Sequence, residues 1–357
     1  MVIRMNPSLL NIQREKNPSG GRDKYMRLDK NERTVTLESE LNEGIMEHLN
    51  STSLTVYPEM DEIQSIIARK TGVEEESILL TAGLDAGIAM CFHSFVEENT
   101  EVVFPAPTFA MVEVYARLVG AKPTPVRYDD TLSLDCSQIC ESVNNATRLV
   151  YIANPNSPTG TELSIDQLHS ILKVTEELGV VTLIDEAYFP FHKETALPLT
   201  KIYSNLLVGR SFSKAMGLAG VRGGYLLGNP DMISLVAQWR PMYEINTLAV
   251  VAGIEVMKRW NDVERYASEV RTTRKWFQDQ LKARGFITPP SATNFILVKF
   301  PGRLIKNAVD YYKLKGILIK SGGRIAPLCE MLRFTIGSSD QMKNCLVIFD
   351  EFCSSNL

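Results

Sequence analysis

One lysine stands out by its surroundings. Lys214 follows Arg210-Ser211-Phe212-Ser213 and precedes AMGLAGVRGG, with no other charged residue between 211 and 221. Apolar and hydroxyl neighbours disfavour an ammonium ion and free a nucleophilic amine. Such an amine can condense with a carbonyl as a Schiff base. The ordinary alternative is a surface lysine laid along a helix start. Asp185 closes the apolar run VVTLI. A carboxylate at the end of a buried strand needs a partner. A protonated ring nitrogen would serve, and so would the backbone N–H groups of a helix cap. Tyr188 follows three residues on, as a third polar group or as a core aromatic.

A second group of residues suits an anion. Arg222 lies eight residues beyond Lys214 and could hold a phosphate by a bidentate fork. Ser211 and Ser213 alternate, so on a strand they face the same way. In TAGLDAG, the turn at Gly83 opens the helical pattern DAGIAMCFHSFVEE, and a helix N-terminus stabilises negative charge. Singly these are caps and salt-bridge formers; together they form a phosphate cradle. Asn154-Pro155-Asn156-Ser157-Pro158-Thr159-Gly160 reads as a rigid loop whose asparagines and Ser157 are fixed hydrogen-bond donors. No GxGxxG and no GxxxxGK[ST] occurs, so neither dinucleotide nor P-loop nucleotide binding is supported.

The elements that must position these residues are short apolar runs alternating with helical patterns. Strands are expected at 76–83, 101–107, 148–155, 180–188, 205–213 and 223–229, all rich in Val, Ile and Leu. Between two of them, 164–179 sets Ile165, Leu168, Ile171, Leu172 and Leu178 on one helical stripe, with Ser164 as N-cap and Gly179 as stop. The alternation predicts an α/β fold with a mainly parallel sheet. The strand ends TAGLDAG, PAPTF, NPNSPTG, DEAY and RSFSK are polar where each apolar run stops, and ligands of open α/β sheets bind at such ends. The last hundred residues read as a smaller α+β domain: a charged helix at 261–285, strands at 293–300, 316–322 and 331–337, and a final helix at 341–352. The division expected is 46–257 for the large domain and 1–45 with 258–357 for the small domain and its N-terminal arm.

Composition narrows the class. Of 357 residues 45% are hydrophobic and 22% charged, and the net charge is −4. These values exclude general disorder and argue against a nucleic-acid or anionic-membrane footprint. Six cysteines without a CxxC pair are expected as reduced thiols in a cytoplasmic protein, with no metal site. The first 17 residues lack the long apolar core of a signal peptide, and no run of about 18 apolar residues spans a membrane.

SFSKAMGLAGVRGG, IDEAY, NPNSPTG and MLRFTIG together resemble the pyridoxal-phosphate aminotransferases of fold type I, and the histidinol-phosphate aminotransferase branch in particular. LDKNE (28–32) and VYPE (56–59) resemble that branch too, so the similarity runs from about 25 to 337. It implies a seven-stranded sheet in the large domain. It further implies Lys214 as the Schiff-base lysine, Asp185 on the pyridinium nitrogen, and Tyr188 with an amide or hydroxyl of Asn156 or Ser157 near the ring hydroxyl. Phe109 would stack on the ring. Ser211, Ser213, Arg222, Gly83 and the backbone at Leu84 and Asp85 would hold the phosphate. Tyr57 would reach that phosphate from the neighbouring subunit of a homodimer, and Arg333 would hold the substrate carboxylate. Departures from the branch lie around the substrate: Val56 and Lys320 stand where arginines are usual, and Phe109 where tyrosine is frequent.

The resemblance leads to amino transfer from an amino acid, with glutamate the expected donor, to a small carbonyl acceptor that carries a phosphate. Lys320, Arg324, Arg22, Lys24 and Arg27 are candidates for that phosphate. The competing reading is a decarboxylase of a phosphorylated amino acid on the same fold, because the same cofactor breaks whichever Cα bond stands perpendicular to its ring. A ligand sensor without catalysis is the third.

Overall fold

A computed structural model describes residues 21–52 and 54–356. The stretch 1–20, expected as part of the arm, lies outside the described residues. The strands are β1 (Met26–Arg27), β2 (Ile78–Thr81), β3 (Glu101–Ala106), β4 (Lys122–Arg127), β5 (Thr147–Ala153), β6 (Val181–Asp185), β7 (Leu206–Ser211), β8 (Gly224–Gly228), β9 (Phe295–Lys299), β10 (Ile317–Leu318), β11 (Lys320–Ser321) and β12 (Met331–Thr335).

Seven of these form one sheet in the order β2-β8-β7-β6-β5-β3-β4. β3 to β7 run parallel to one another, and β8 is antiparallel to both β7 and β2. The architecture is therefore the mainly parallel α/β sheet expected. Its central strands β6, β7 and β8 are buried along their whole length, which explains why they read as continuous apolar runs.

Six of the seven strands were legible in the sequence. β4, Lys-Pro-Thr-Pro-Val-Arg, was not, because two prolines argue against a strand. It lies at the sheet edge. The N–H groups of Lys122 and Tyr128 donate to β3 and the residue before it, at Ala106 and Thr100. With a two-residue repeat, Pro123 and Pro125 then turn their nitrogens to the open edge, where no donor is lost. The run 180–188 stops as a strand at Asp185, and 186–188 turn away. The helix Ile165–Glu177 follows the expected stripe. A reciprocal cap between Ser164 and Gln167 starts it, contributing about 1 kcal/mol, and Gly179 at φ 65° follows its end. Leu178 departs from the stripe: it lies past the last turn and is exposed.

The C-terminal part has a three-stranded antiparallel sheet, β11-β12-β9. Against it pack the helices Trp260–Ala283 and Ile305–Leu314, through edge-on contacts of Phe277 and Tyr312 with Phe334, while Phe349 of the helix Ser339–Asn356 meets Phe300 just after β9. The run 316–322, expected as one strand, is two. β10 pairs in parallel with β1, and only β11 joins β12. The N-terminal segment is also more regular than expected, since it carries β1 and the helix Ser39–Ser51. We propose that the two domains divide along the two sheets, near 46 and 257. That helix crosses the first of these points, and the helix Thr247–Lys258 ends at the second.

β8 approaches the rest of the molecule closely at its first residue. A Cβ on Gly224 would stand 2.6 Å from the Leu84 nitrogen and 2.9 Å from the Arg210 oxygen, both backbone atoms. Gly224→Ala is therefore expected to push the Gly83 turn outward, lowering the thermal midpoint by several degrees in differential scanning calorimetry.

Candidate active site

The carboxyl ends of β2, β3, β5, β6 and β7 lie on one edge of the sheet, and the reversed β8 begins there. Across that edge the sequence motifs fall in spatial order. Gly83 follows β2, Arg222 precedes β8, Ser211 to Lys214 end β7, Asp185 ends β6, and Asn154 to Gly160 follow β5.

The anion end is built of backbone and small side chains. Gly83 has φ 87° and offers no side-chain cap to the helix Leu84–Phe95. The first-turn N–H groups of Leu84 and Asp85 have no acceptor within the helix. The Asp85 carboxylate takes a hydrogen bond of 2.8 Å from Tyr115. Arg222, in the left-handed region at φ 59°, lays its guanidinium over Gly83, where a Cβ would stand 2.7 Å from Nη2. Its Nη1 donates to Ser213 Oγ at 3.4 Å, and Ser211 Oγ accepts the Ser213 N–H at 3.1 Å. A positive fork, two hydroxyls and a helix start without a cap fit the chemistry of a phosphate group.

The middle of the edge holds an isolated buried charge. Asp185 Oδ2 accepts the Tyr151 hydroxyl at 2.7 Å, and Oδ1 accepts the Ala187 N–H at 2.8 Å. Burial pushes its carboxyl up to about 6, against the pull of these two donors and of the Lys214 ammonium. Burial and then the nearby Asp185 push the Tyr151 phenol well above its ordinary value, so it stays a donor. Among the described residues no cation pairs with Asp185, and a protonated ring nitrogen fits that need.

Behind Asp185 a second carboxylate is fully compensated. Glu186 takes the Arg210 guanidinium at 3.0 Å and the Thr195 hydroxyl and Ala196 N–H, and Arg210 stacks 3.7 Å from the Phe189 ring centre. Both partners of this pair are nearly inaccessible to solvent.

Lys214 is half-buried rather than enclosed. Its Nζ donates to the Lys30 carbonyl at 3.2 Å and lies 5.9 Å from the centre of the Tyr188 ring. Tyr188 is buried, edge-on to Phe295, and accepts Asn31 Nδ2 at 2.8 Å. Arg333 Nη2 donates to the Asp29 carbonyl at 2.6 Å. The segment 29–31 thus touches Arg333, Lys214 and Tyr188.

Asn156 is committed within its own loop. Its Nδ2 donates to the Pro107 carbonyl and Thr159 Oγ1, and its Oδ1 accepts Thr108. Ser157 beside it is half-buried, as is Phe109 after β3. Tyr57 does not turn into this edge. It is exposed, stacked on Tyr243 with ring centres 3.5 Å apart. Lys320 stands opposite Arg333 in the β11–β12 pairing, and Arg324 is exposed beyond β11. Arg22, expected as a phosphate ligand, is instead held by Asp29 at 2.7 Å and Glu32 at 2.8 Å. Lys24 lies over the Tyr25 ring, and Arg27 sits in β1.

The family model for aminotransferase class I and II matches residues 24–348. The chain belongs to that family. It is a pyridoxal-phosphate-dependent aminotransferase of fold type I. Histidinol-phosphate aminotransferases of Thermoanaerobacter pseudethanolicus and Caldanaerobacter subterraneus are 31% and 30% identical over 320 residues, 88% of this chain and 89% of each relative. The solved histidinol-phosphate aminotransferase of Sinorhizobium meliloti, in complex with pyridoxal-5'-phosphate, superposes with a TM-score of 0.85 at 22% identity, covering 96% of this chain and 95% of that one. That of Clostridium acetobutylicum gives 0.83 at 22%, covering 93% and 100%.

For this aminotransferase, sequence reasoning missed Tyr151 and the Glu186–Arg210 pair. A phenol inside the apolar run LVYIA, two residues before the strand end, was the available signal for Tyr151. Asn31 lay within LDKNE, which marked the resemblance without a role.

Two outcomes follow. Glu186→Gln leaves Arg210 as an uncompensated buried charge and is expected to cost about 3–5 kcal/mol in urea unfolding. Asp185 has its carboxyl raised in the folded protein. Its contribution to stability is therefore full below the unfolded value near 4 and lost as pH rises through about 6. In cofactor-free protein, Asp185→Asn should unfold at a higher temperature than the parent at pH 8, and the difference should vanish by pH 4.

Proposed function

We propose that this aminotransferase moves the amino group of glutamate to a small carbonyl compound bearing a phosphate. The observation that carries this reading is the like-charge pair Lys320 and Arg333, directly opposite on antiparallel strands and so on the same face of the small sheet. Side chains of this charge bind a carboxylate or a phosphate, and Arg324 follows β11 by three residues. The names of the relatives support the phosphate ester. The decarboxylase reading has no observation in its favour.

In this reading Arg333 grips the donor carboxylate as a fork, orienting the amine toward Lys214. When bound, the cofactor would supply a reactive carbonyl for the amine and an electron-accepting ring. Asp185 keeps the ring nitrogen protonated. Lys214 Nζ would act as the base that takes the proton from substrate Cα and returns it on the other side of the transfer. The keto acid leaves, and the second half-reaction runs the same steps in reverse on the acceptor. Ser157 rather than Asn156 faces the ring hydroxyl, because both amide groups of Asn156 are already used. Phe109 stacks on the ring. Ser211, Ser213, Arg222, Gly83, Leu84 and Asp85 hold the phosphate.

We further infer a homodimer in which Tyr57 reaches the neighbouring site. Exposed Val56, Tyr57, Met242 and Tyr243 support such a surface. A cytoplasmic location is supported by six free cysteines. Among the described residues no helix is long and apolar enough to cross a membrane.

Mixing the purified, cofactor-loaded enzyme with glutamate should bleach the visible band and release 2-oxoglutarate. Lys214→Ala should abolish both. Arg333→Lys, which keeps the charge but loses the fork, should lower kcat/KM for glutamate by at least about tenfold while the band remains. No keto acid from glutamate, with turnover of another amino acid, would replace the donor in this proposal.

A further inference from the structure

The N-terminal segment makes contacts at Asn31 whose directions are not free. The Asn31 backbone N–H lies 3.1 Å from Thr335 Oγ1. A backbone N–H can only donate, so Thr335 Oγ1 accepts there. The same Oγ1 lies 3.1 Å from Asn31 Oδ1. Its single hydrogen is therefore available for that oxygen, which accepts it. With Oδ1 accepting the Thr335 hydroxyl, the other end of the Asn31 amide carries Nδ2. Nδ2 then faces Tyr188, and it donates to the phenolic oxygen at 2.8 Å. The Asn31 carbonyl accepts Asn294 Nδ2 at 3.1 Å. Asn31 is 3% exposed and sits in the left-handed region at φ 58°.

From this chain of donors we infer that Asn31 is a positioning residue: by occupying the oxygen of Tyr188 as a donor, it forces the Tyr188 hydroxyl to direct its own hydrogen into the active-site cleft. The inference deepens the proposed reading of the site and rests on it. The ionisable groups about Tyr188 are Lys214, 5.9 Å from its ring, Tyr151, which feels its charge, and Asp185, to which Tyr151 is bonded. Asp185 and Tyr151 are engaged with each other, and Lys214 is a donor. None of them competes for the Tyr188 hydrogen, so it is left for an acceptor oxygen on the bound cofactor. A donor aimed at such an oxygen favours its deprotonated form.

The device spans both sheets. Thr335 ends β12, Asn294 precedes β9, Asn31 belongs to the N-terminal segment, and Tyr188 follows β6. The proton direction at Tyr188 is thus set by the small sheet, not by the large one that carries Tyr188.

The test is a pH titration of the visible band of the cofactor-loaded enzyme, without substrate. Asn31→Asp presents acceptor oxygens to Tyr188 and turns its hydrogen away from the cleft. Thr335→Val removes the hydroxyl that orients the amide and adds no charge. Each is expected to raise the midpoint of the band by about one pH unit, as is Tyr188→Phe. In the Tyr188→Phe background neither substitution should shift it further. A shift that persists in that background would mean that charge or general loosening acts instead, and would overturn the inference. So would an unchanged midpoint in Thr335→Val, even if Asn31→Asp fails to fold. If Tyr188→Phe itself leaves the midpoint unchanged, the proposed role of Tyr188 fails along with the inference. If only the Asn31 and Thr335 variants are silent, the reading of the site stands and the inference alone falls.

Discussion

A carboxylate buried at the end of a central strand is the constraint around which this enzyme is arranged. Asp185 has two hydrogen bonds and no ion-pair partner among the described residues, and burial raises its carboxyl to about 6. Water is excluded by the apolar strands on either side, so compensation must come from a ligand or from a proton. The neighbouring Glu186 shows the other solution, a dedicated arginine in the same interior. Of two adjacent carboxylates, one is provided for by an arginine and the other is not. That is why Tyr151 matters: a phenol that cannot ionise keeps one Asp185 oxygen hydrogen-bonded without neutralising it.

The sheet topology turns that single charge into a site. Because β8 runs opposite to its neighbours, its first residues lie at the same edge as the last residues of β2 and β7. Arg222 therefore meets Gly83 and Ser213, which are distant in sequence. Glycines at 83 and 224 make the approach possible, because a Cβ at either would collide with the guanidinium or with backbone. Arg222 with Gly83, then Ser211 to Lys214, then Asp185 and the Asn154–Gly160 loop follow one another across adjacent strands, an arrangement that suits a flat, elongated ligand along the edge.

The smaller sheet is more than a cover. The segment 28–31 is held to β12 by the Thr335 N–H on the Leu28 carbonyl and by the Thr335 hydroxyl on Asn31. From there it supplies the carbonyl that receives Lys214, the carbonyl that receives Arg333 and the amide that meets Tyr188. Arg22 folds back onto Asp29 and Glu32 of this segment. Burial raises the Glu32 carboxyl, but Arg22 outweighs it and holds the group below its usual range, so the pair stays charged beside the site.

Much of the molecule could be read before any coordinates. Continuous apolar runs announced the buried strands, because a strand covered on both faces has no polar side. The polar residues that ended those runs named the site, since strand ends are where backbone and side chains leave the core together. Lys214, Asp185 and Arg222 were singled out in that way, and the fold brings them to one edge of the sheet. What sequence could not carry was whatever depends on two distant segments meeting. Prolines 123 and 125 hid an edge strand, because only the sheet order shows which nitrogens face solvent. One apolar run at 316–322 became two strands in two sheets, because pairing partners, not propensity, decide where a strand changes neighbours. Arg22 looked available until its carboxylates came into contact. The direction of the Tyr188 proton was decided by residues 31, 294 and 335, because hydrogen-bond direction is a property of a closed network and no single segment contains it.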